Sequence, residues 1–264
     1  RAAVFTGDWT YGLHEGCKHE RGFACHFTAF ARECAEGELA AIPAAPEGIE
    51  IDPREVVGVD FRHKGVFWWY AHVQFAMLQP SLDFQVKLRS VMGALGFTHP
   101  IVGVHVRNGD YCSHENEQGG HCLLYKHCVC QGFDDYREKI RRMRELYGVN
   151  TIFLATQDQR IVRAAEAEEG LRVLMLTFDR AQLTGGAART ALHWRQKLGY
   201  VDSVMVSDGA LLDLFILSQC DYFIGSFHSQ YSRLALALMA ARQGRVPPYA
   251  SVHLSWGACL AYPL

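Results

Sequence analysis

Short apolar runs that end in turn residues alternate with longer segments of helical periodicity through most of the chain. The apolar runs predict strands within 101–106, 151–156, 171–176 and 222–224. The periodic segments predict helices within 68–78, 82–95, 134–146, 161–169 and 210–218, and another that begins near position 229. Strands and helices that alternate at this pace are typical of an α/β fold with a doubly wound parallel sheet.

Two helix boundaries are predicted from capping residues. Gly96 follows the periodic segment 82–95 and is suited to its C-terminal cap. Asp208 precedes the segment 210–218 and can accept a hydrogen bond from its first turn.

No Gly-x-Gly-x-x-Gly pattern is present, so the sequence does not support an NAD-type pyrophosphate loop.

The segment 101–110 contains the polar residues that say most about function. It begins as a predicted buried strand and ends in an Asn-Gly-Asp turn. Ligands of open α/β sheets bind beyond the carboxyl ends of the strands, so His105, Arg107 and Asp110 are expected at a ligand site. Arg107 offers a planar set of donors suited to a phosphate. The alternative is that Arg107 forms a structural ion pair with a nearby carboxylate.

A second informative segment follows position 208. Asp213 lies within a helix that is apolar nearly all round, so its carboxylate is predicted to be buried and to need hydrogen-bond donors. A protein arginine or backbone group could supply them, and so could the ring N–H and exocyclic amine of guanine. Further on, a predicted helix start with Ser229 and Gln230 is suited to a phosphate, although an ordinary capped helix has the same pattern.

The charge and hydropathy of the chain narrow its functional classes. The net charge is -2 and 20% of residues are charged, so no general polyanion-binding surface is indicated and no nucleic-acid partner is expected. No apolar run is long enough to span a bilayer, and no secretory signal is visible. The chain opens on Arg1 without an initiator Met, and we expect it to be part of a longer protein.

The sequence contains 9 cysteines. Four of them crowd into one short stretch, which favours disulfides among themselves or with Cys17 or Cys25 in an oxidising compartment. A zinc site is an alternative because histidines lie among these cysteines, and free thiols are a third possibility. The residues of this stretch are Cys112, Cys122, Cys128 and Cys130, with His114, His121 and His127.

Several ordered motifs resemble the α1,6-fucosyltransferases that act on N-glycan cores or chitin oligosaccharides, and more distantly the protein O-fucosyltransferases. The matching stretches are Asp8-Trp9-Thr10-Tyr11, Trp68-Trp69, 95–100, 103–107, 153–158, Leu212-Asp213, 217–219, Asp221, Phe227, Ser229-Gln230 and Arg233. Their order and spacing are more specific than any one of them alone.

The resemblance implies a GT-B-like glycosyltransferase with a Rossmann-like C-terminal half that binds a nucleotide sugar. It assigns 1–97 to a partial, incomplete N-terminal lobe with connecting helices. It assigns 98–264 to the Rossmann-like lobe, with a Cys-rich insert at 111–132. It also implies GDP-fucose as donor, a glycan or glycoprotein acceptor, inversion at the sugar, no metal and no cofactor. A Golgi location is implied, with any membrane anchor in a region that precedes this chain.

The resemblance also assigns roles to individual residues. His105 and Asp213 would hold guanine, and Arg107 would hold the β-phosphate and act in catalysis. Glu115 is the candidate base and lies with Asp110 on the acceptor side. The full set of implied donor-binding residues is Tyr11, His105, Arg107, Asp158, Asp213, Ser229 and Gln230.

The sequence departs from the family pattern at several positions. Asn108 replaces a second arginine, Tyr111 replaces a lysine and Gln157 replaces an aspartate. Gly225 and Ser232 stand where the family has cysteines, and the cysteine that would pair with Cys34 falls in a missing opening segment. The donor side is therefore expected to be better preserved than the acceptor side. The alternatives to an active enzyme are a GDP-sugar-binding module without turnover and a zinc-stabilised interaction domain.

Overall fold

A computed structural model describes residues 59–108, 112–113, 121–122, 131–180, 183, 195–196 and 198–252. In chain order it contains a 3-10 helix (Val59–Lys64), α1 (Gly65–Met77), α2 (Leu82–Ala94), β1 (Val102–Val106), β2 (Cys112–Ser113), β3 (His121–Cys122) and α3 (Phe133–Tyr147). There follow β4 (Thr151–Thr156), α4 (Gln159–Glu166), β5 (Arg172–Leu174), α5 (Ser203–Gln219), β6 (Tyr222–Gly225), α6 (Gln230–Gln243) and β7 (Tyr249–Ser251).

The main sheet has five strands in the order β5-β4-β1-β6-β7, and every neighbouring pair is parallel. The central strand β1 pairs with both β4 and β6, so that His105 lies opposite Ala155 on one side and Gly225 on the other. The predicted α/β fold with a parallel sheet is therefore confirmed. Because all strands run the same way, their carboxyl ends form one edge of the sheet.

Helices cover both faces of this sheet, as the pleat of β1 requires. Val104 and its neighbours on one face belong to a core formed with α3 and α4. On the other face, Ile101 and Phe153 join a core formed with α2, α5 and α6. Gly103 faces this second core, where an added Cβ would lie 3.0 Å from Cδ2 of Leu217. The absence of a side chain at Gly103 therefore lets α5 pack directly on the sheet.

Helix α2 belongs to the same core as the sheet. Its residues Phe84 and Leu88 are buried in the cluster that contains Phe153. The helix begins after Ser81, whose hydroxyl accepts a hydrogen bond from the Phe84 amide. Gly96 follows its last residues at φ +62°, as the predicted C-terminal cap requires. The predicted lobe boundary between residues 97 and 98 stays a prediction.

The start of α5 differs from the prediction. The helix begins at Ser203, and the carboxylate of Asp202 caps it by accepting hydrogen bonds from the amides of Val204 at 2.8 Å and Met205 at 3.2 Å. Asp208 lies inside the helix and pairs with Lys87 of α2, so its predicted role as the cap was wrong. Both aspartates have the side chain of a cap, and sequence alone does not rank them; packing of the first turn against Leu183 selects the earlier one.

Two predicted elements are shorter than expected. Strand β5 ends at Leu174 rather than at position 176, because its ladder with β4 ends where Leu174 pairs with Phe153. The chain then runs on past the sheet edge toward Arg180. Helix α4 ends at Glu166, three residues before the predicted end.

No helix among the residues described is long and apolar enough to cross a membrane.

Candidate functional site

The end of β1 places a cation at the carboxyl edge of the sheet. Arg107 directly follows β1, and Gln157 directly follows the neighbouring strand β4. Nη1 of Arg107 donates to Oε1 of Gln157 at 3.3 Å and to the carbonyl of Asn108 at 3.2 Å. Both of these acceptors are neutral groups. The position predicted for a phosphate-binding arginine is therefore confirmed, while its role stays a prediction.

His105 is buried beside this arginine and is held by the first turn of α6. Its Nδ1 shares a hydrogen bond of 2.6 Å with Oγ of Ser232, and its ring centroid lies 4.6 Å from that of Tyr231. Burial lowers the pKa of His105 to about 3, with a smaller contribution from the positive charge of Arg107. The imidazole is therefore neutral at physiological pH and can serve as a hydrogen-bonding group for an uncharged ligand group.

Tyr231 joins the histidine to helix α5. Its hydroxyl donates to the carbonyl of Ala210 at 2.5 Å. Burial raises the pKa of Tyr231, and the negative charge of Asp213 raises it further. Ala210 and Asp213 are three residues apart and share a helix face. Tyr231 therefore lies near both His105 and Asp213.

Asp213 is a buried carboxyl group with an oxygen that has no hydrogen-bond donor among the described residues. It is 9% exposed, and its Oδ1 accepts no hydrogen bond from the described part of the chain. Burial raises the pKa of Asp213 to about 8, and the charge of Arg180 opposes this shift. A buried acceptor without a donor is costly, so this oxygen is suited to a ligand that brings N–H groups.

Arg180 lies beyond the carboxyl end of β5 and is also buried. Its Nε donates to the carbonyl of Thr156 at 3.1 Å, and its Nη2 donates to the carbonyl of Leu176 at 2.9 Å. Its guanidinium carbon lies 4.2 Å from the ring centroid of Phe178. Burial lowers the pKa of Arg180, and the charges of Asp213 and Glu166 oppose that change. A fixed cation therefore borders the carboxyl group of Asp213.

The start of α6 lies at the same edge of the sheet. Ser229 is the N-cap residue of α6, but its side chain makes no capping hydrogen bond. Gln230 is the first residue of the helix and is exposed. The first amides of a helix have no acceptor within the helix. The predicted helix start is confirmed, and phosphate binding by Ser229 and Gln230 stays a prediction.

Asp158 has a local structural role. It is the N-cap residue of α4, and its Oδ1 accepts a hydrogen bond from the Arg160 amide at 2.9 Å. Its Oδ2 accepts from Nη2 of Arg160 at 2.8 Å. Asp158 thus follows β4 as predicted, at the same edge as Arg107. Its contact with a donor substrate stays a prediction.

Three predicted site residues, Tyr11, Asp110 and Glu115, lie outside the described residues. Of the Cys-rich stretch, the backbone of Cys112 and Cys122 is described, and the two residues lie opposite each other in an antiparallel pair. The predicted disulfides and the zinc alternative stay predictions. Among the residues described, no group of three or more His, Cys, Asp or Glu could hold a metal ion.

Comparison with known proteins identifies the family. The sequence profile described as "Alpha-(1,6)-fucosyltransferase N- and catalytic domains" matches residues 57–247, which is well over half of the chain. The chain belongs to this fucosyltransferase family. The resemblance found in the sequence motifs is therefore confirmed, and the matched region spans β1, α5 and the start of α6.

Individual relatives are distant. The chain is 26% identical over 180 residues to the alpha-(1,6)-fucosyltransferase of Drosophila melanogaster, which covers 66% of this chain and 25% of that protein. The chain thus spans about a quarter of the length of this relative. Among solved structures, POFUT1 in complex with GDP is 16% identical with a TM-score of 0.44, over 72% of this chain and 52% of that one. NodZ alpha-1,6-fucosyltransferase soaked with GDP-fucose is 14% identical with a TM-score of 0.37, over 62% and 44%.

This fucosyltransferase-family chain carries its departures in defined places. Asn108, where the resemblance implies a second arginine, is buried, and its Nδ2 donates to the carbonyl of Gln131 at 3.0 Å. Asn108 thus joins the backbone on the two sides of the segment 109–130. Gly225 and Ser232, where the resemblance implies cysteines, lie side by side, since a Cβ on Gly225 would be 2.9 Å from Oγ of Ser232. The hydroxyl of Ser232 forms a hydrogen bond with His105.

Three residues of the site in this fucosyltransferase-family chain were missed by sequence reasoning. Tyr231 and Ser232 directly follow the recognised pair Ser229-Gln230, and helical spacing would have directed them toward the sheet. Arg180 belongs to no motif. Its position beyond the carboxyl end of a predicted strand was the available signal, because side chains there face the same edge as Arg107.

Proposed function

We propose that this chain is the nucleotide-sugar-binding part of a glycosyltransferase that moves fucose from GDP-fucose to a glycan. The observation that supports this proposal most is that a cation after β1 and a buried hydrogen-bond acceptor on α5 lie at one edge of the sheet. Arg107 supplies the cation and Oδ1 of Asp213 supplies the acceptor. Membership of the alpha-(1,6)-fucosyltransferase family gives this arrangement its context.

The base end of the donor is assigned to Asp213 and His105. Guanine presents a ring N–H and an exocyclic amine side by side, and a carboxylate accepts both. Uracil lacks that pair of donors, so Asp213 favours GDP over UDP. The neutral imidazole of His105, fixed by Ser232, adds a second polar contact that needs no charge on the ligand.

The diphosphate is assigned to Arg107 with the start of α6. As the sugar leaves, negative charge grows on the β-phosphate, and a preorganised donor at that point stabilises the transition state. The guanidinium provides two parallel N–H donors for phosphate oxygens. Ser229 and Gln230 would complete the phosphate contacts through the first amides of α6. In this proposal the reaction needs neither a metal nor a cofactor.

The acceptor side is assigned to Glu115 and Asp110. Inversion by direct displacement requires one carboxylate to remove the proton of the acceptor hydroxyl, and Glu115 is the proposed base. The GT-B arrangement of two lobes, with the donor in the C-terminal Rossmann-like lobe, belongs to the same proposal. A secretory-pathway location in the Golgi lumen is part of the same proposal, and membership of the family supports it.

A GDP-sugar-binding module with little or no turnover is the second candidate. The observation in its favour is Asn108, which replaces an arginine and has its side-chain amide engaged with Gln131. The site then has one cation fewer with which to stabilise the leaving diphosphate. The donor would still bind, because the base contacts are independent of position 108.

The deciding experiment is an assay of GDP release from GDP-fucose by the full-length protein, with and without a panel of N-glycan and chitin-oligosaccharide acceptors. Release that depends on an acceptor and is lost in Glu115→Gln supports the transferase. Tight GDP binding without release with any acceptor supports the binding module. Absence of GDP binding contradicts both.

A further inference from the structure

The arginine beside Asp213 is held rigidly. Arg180 donates to two backbone carbonyls, those of Thr156 at 3.1 Å and Leu176 at 2.9 Å, and its guanidinium lies against the ring of Phe178. One carbonyl belongs to the last residue of β4 and the other to the segment after β5. A guanidinium bound at these points keeps its charge at a fixed place relative to the sheet.

Phe178 links Arg180 to α5, the helix that contains Asp213. A Cβ on Gly209 would lie 4.0 Å from Cε1 of Phe178, so the ring approaches α5 at that residue. Gly209 and Asp213 are four residues apart and therefore lie on the same face of the helix. The guanidinium stacked on Phe178 consequently borders the face from which Asp213 projects.

The charged and titratable groups around Asp213 come from several elements. Tyr231 of α6 and His105 of β1 are neutral at physiological pH. Lys87 of α2 pairs with Asp208 and not with Asp213. Arg233 of α6 is buried and donates through Nε to the carbonyl of Phe227. The negative charge of Glu166 raises the pKa of Arg180. Among the residues described, Arg180 is the cation whose field acts on Asp213.

We propose that Arg180 is a positioning residue for recognition of the nucleotide base: it favours the ionised carboxylate of Asp213, which can accept both N–H groups of guanine. This inference rests on the proposed function, because it takes guanine as the group that Asp213 receives. Arg180 would thereby set the pH range over which the protein selects guanine. It acts through Asp213 and need not touch the donor.

Only the ionised form of Asp213 can accept hydrogen bonds from both N–H groups of guanine. A neutral carboxylic acid has one acceptor oxygen and one O–H donor, which opposes a guanine N–H group. Burial raises the pKa of Asp213 to about 8, so this carboxyl group is mainly neutral near pH 7 in the ligand-free protein. Guanine binding to the ionised form therefore releases a proton. Without Arg180, burial would act unopposed and the ionised form would be rarer still.

The test is calorimetric titration of the intact chain with GDP between about pH 6 and about pH 8.5, a range that brackets the titration of Asp213. The variants are Arg180→Met, which removes the charge, and Arg180→Lys, which keeps it. Arg195→Met is the matched control, because Arg195 is also buried and donates to a backbone carbonyl, that of Leu183. Ratios of variant to wild type cancel the ionisation of the diphosphate itself.

Apparent affinity scales with the fraction of protein in the binding-competent state. Wild-type GDP affinity should therefore rise by about tenfold or more from pH 6 to pH 8. Arg180→Met should bind GDP about tenfold or more weakly than wild type at pH 6, and this difference should narrow as the pH rises through the pKa of Asp213. Arg180→Lys should keep a profile close to wild type. Arg195→Met should change affinity by the same factor at every pH.

Asp213→Asn provides a second, independent readout. If Arg180 acts through the charge of Asp213, Arg180→Met should cost little further affinity when Asp213 is already asparagine. An equal loss with and without Asp213 would overturn the inference, because it would mean that Arg180 only supports the shape of the pocket. A pH-independent ratio of Arg180→Met to wild type would overturn it as well.

Failure of the proposed function has a different signature. If the wild-type protein binds GDP and UDP equally at every pH, guanine is not the ligand of Asp213, and both proposals fail. If the wild type prefers GDP but its affinity has no pH dependence beyond that of UDP, the proposed function stands and the role of Arg180 is refuted.

Discussion

Nδ1 of His105 and Oγ of Ser232 share a hydrogen bond of 2.6 Å that joins the central strand to the first turn of α6. Both side chains are buried. The bond fixes the orientation of an imidazole that stays neutral. It also joins the helix start proposed for phosphate binding to the strand that Arg107 follows.

Loss of that hydrogen bond should weaken the donor site. Ser232→Ala leaves Nδ1 of His105 buried without its partner, which typically costs about 1–3 kcal/mol. We expect lower stability by that amount in urea unfolding and GDP binding weakened several-fold in calorimetry. Ser218→Ala is the control, since Ser218 is a buried helical serine whose hydroxyl donates to its own helix at the carbonyl of Phe215. An unchanged GDP affinity in Ser232→Ala would contradict a role for His105 in binding.

The buried carboxyl of Asp213 should make the ligand-free protein less stable at alkaline pH. Its pKa is about 8 in the folded protein and about 3.9 in an unfolded chain, so the folded state holds the proton more tightly. The resulting stabilisation is complete below about pH 4 and is lost as the pH rises through about 8. Asp213→Asn, which stays neutral, should therefore gain stability relative to wild type as the pH rises, by on the order of 2–5 kcal/mol.

Urea unfolding of both proteins from about pH 5 to about pH 8.5 measures this difference directly. Asp135→Asn, at an exposed position of α3, is the control and should show no such trend. A constant difference between Asp213→Asn and wild type across that range would mean that Asp213 is not held neutral in the empty site.

Arg107 should be the most sensitive single position for turnover. Donors that stabilise transition-state charge are typically worth about 10²–10³ in rate. Arg107→Ala should lose activity by that factor under saturating donor, and Arg107→Lys should remain badly impaired because it loses the bidentate geometry. Arg137→Lys, in a surface ion pair with Glu168, should behave as wild type. Near-normal turnover in Arg107→Ala would show that the β-phosphate is held by other groups.

The elements that sequence predicted well are those with one dominant signal. Strand β4 was predicted with its observed bounds, Thr151–Thr156, because it is a short apolar run between clear turn residues. The start of α6 followed from Ser229. Helix α5 was predicted to start too late because two aspartates compete as caps, and packing of Val206 with Leu183 favours the earlier one.

The site residues also fall into those that the sequence could identify and those that it could not. His105, Arg107 and Asp213 could be chosen from sequence because each is a polar residue next to, or within, a strongly apolar element. Arg180 and Ser232 could not, because their importance comes from contacts between residues distant in the chain. Arg180 reaches back 24 positions to Thr156, and Ser232 reaches back 127 positions to His105.

The most direct test of guanine recognition by Asp213 is a comparison of GDP and UDP binding by the wild-type chain and by Asp213→Asn in calorimetry at about pH 8, where Asp213 is substantially ionised. The wild type should prefer GDP. Asp213→Asn should lose about 1–3 kcal/mol of GDP binding, the usual value of hydrogen bonds to a charged group, while UDP binding is unchanged. Equal affinity of the wild type for GDP and UDP, or equal loss for both nucleotides in Asp213→Asn, would contradict it.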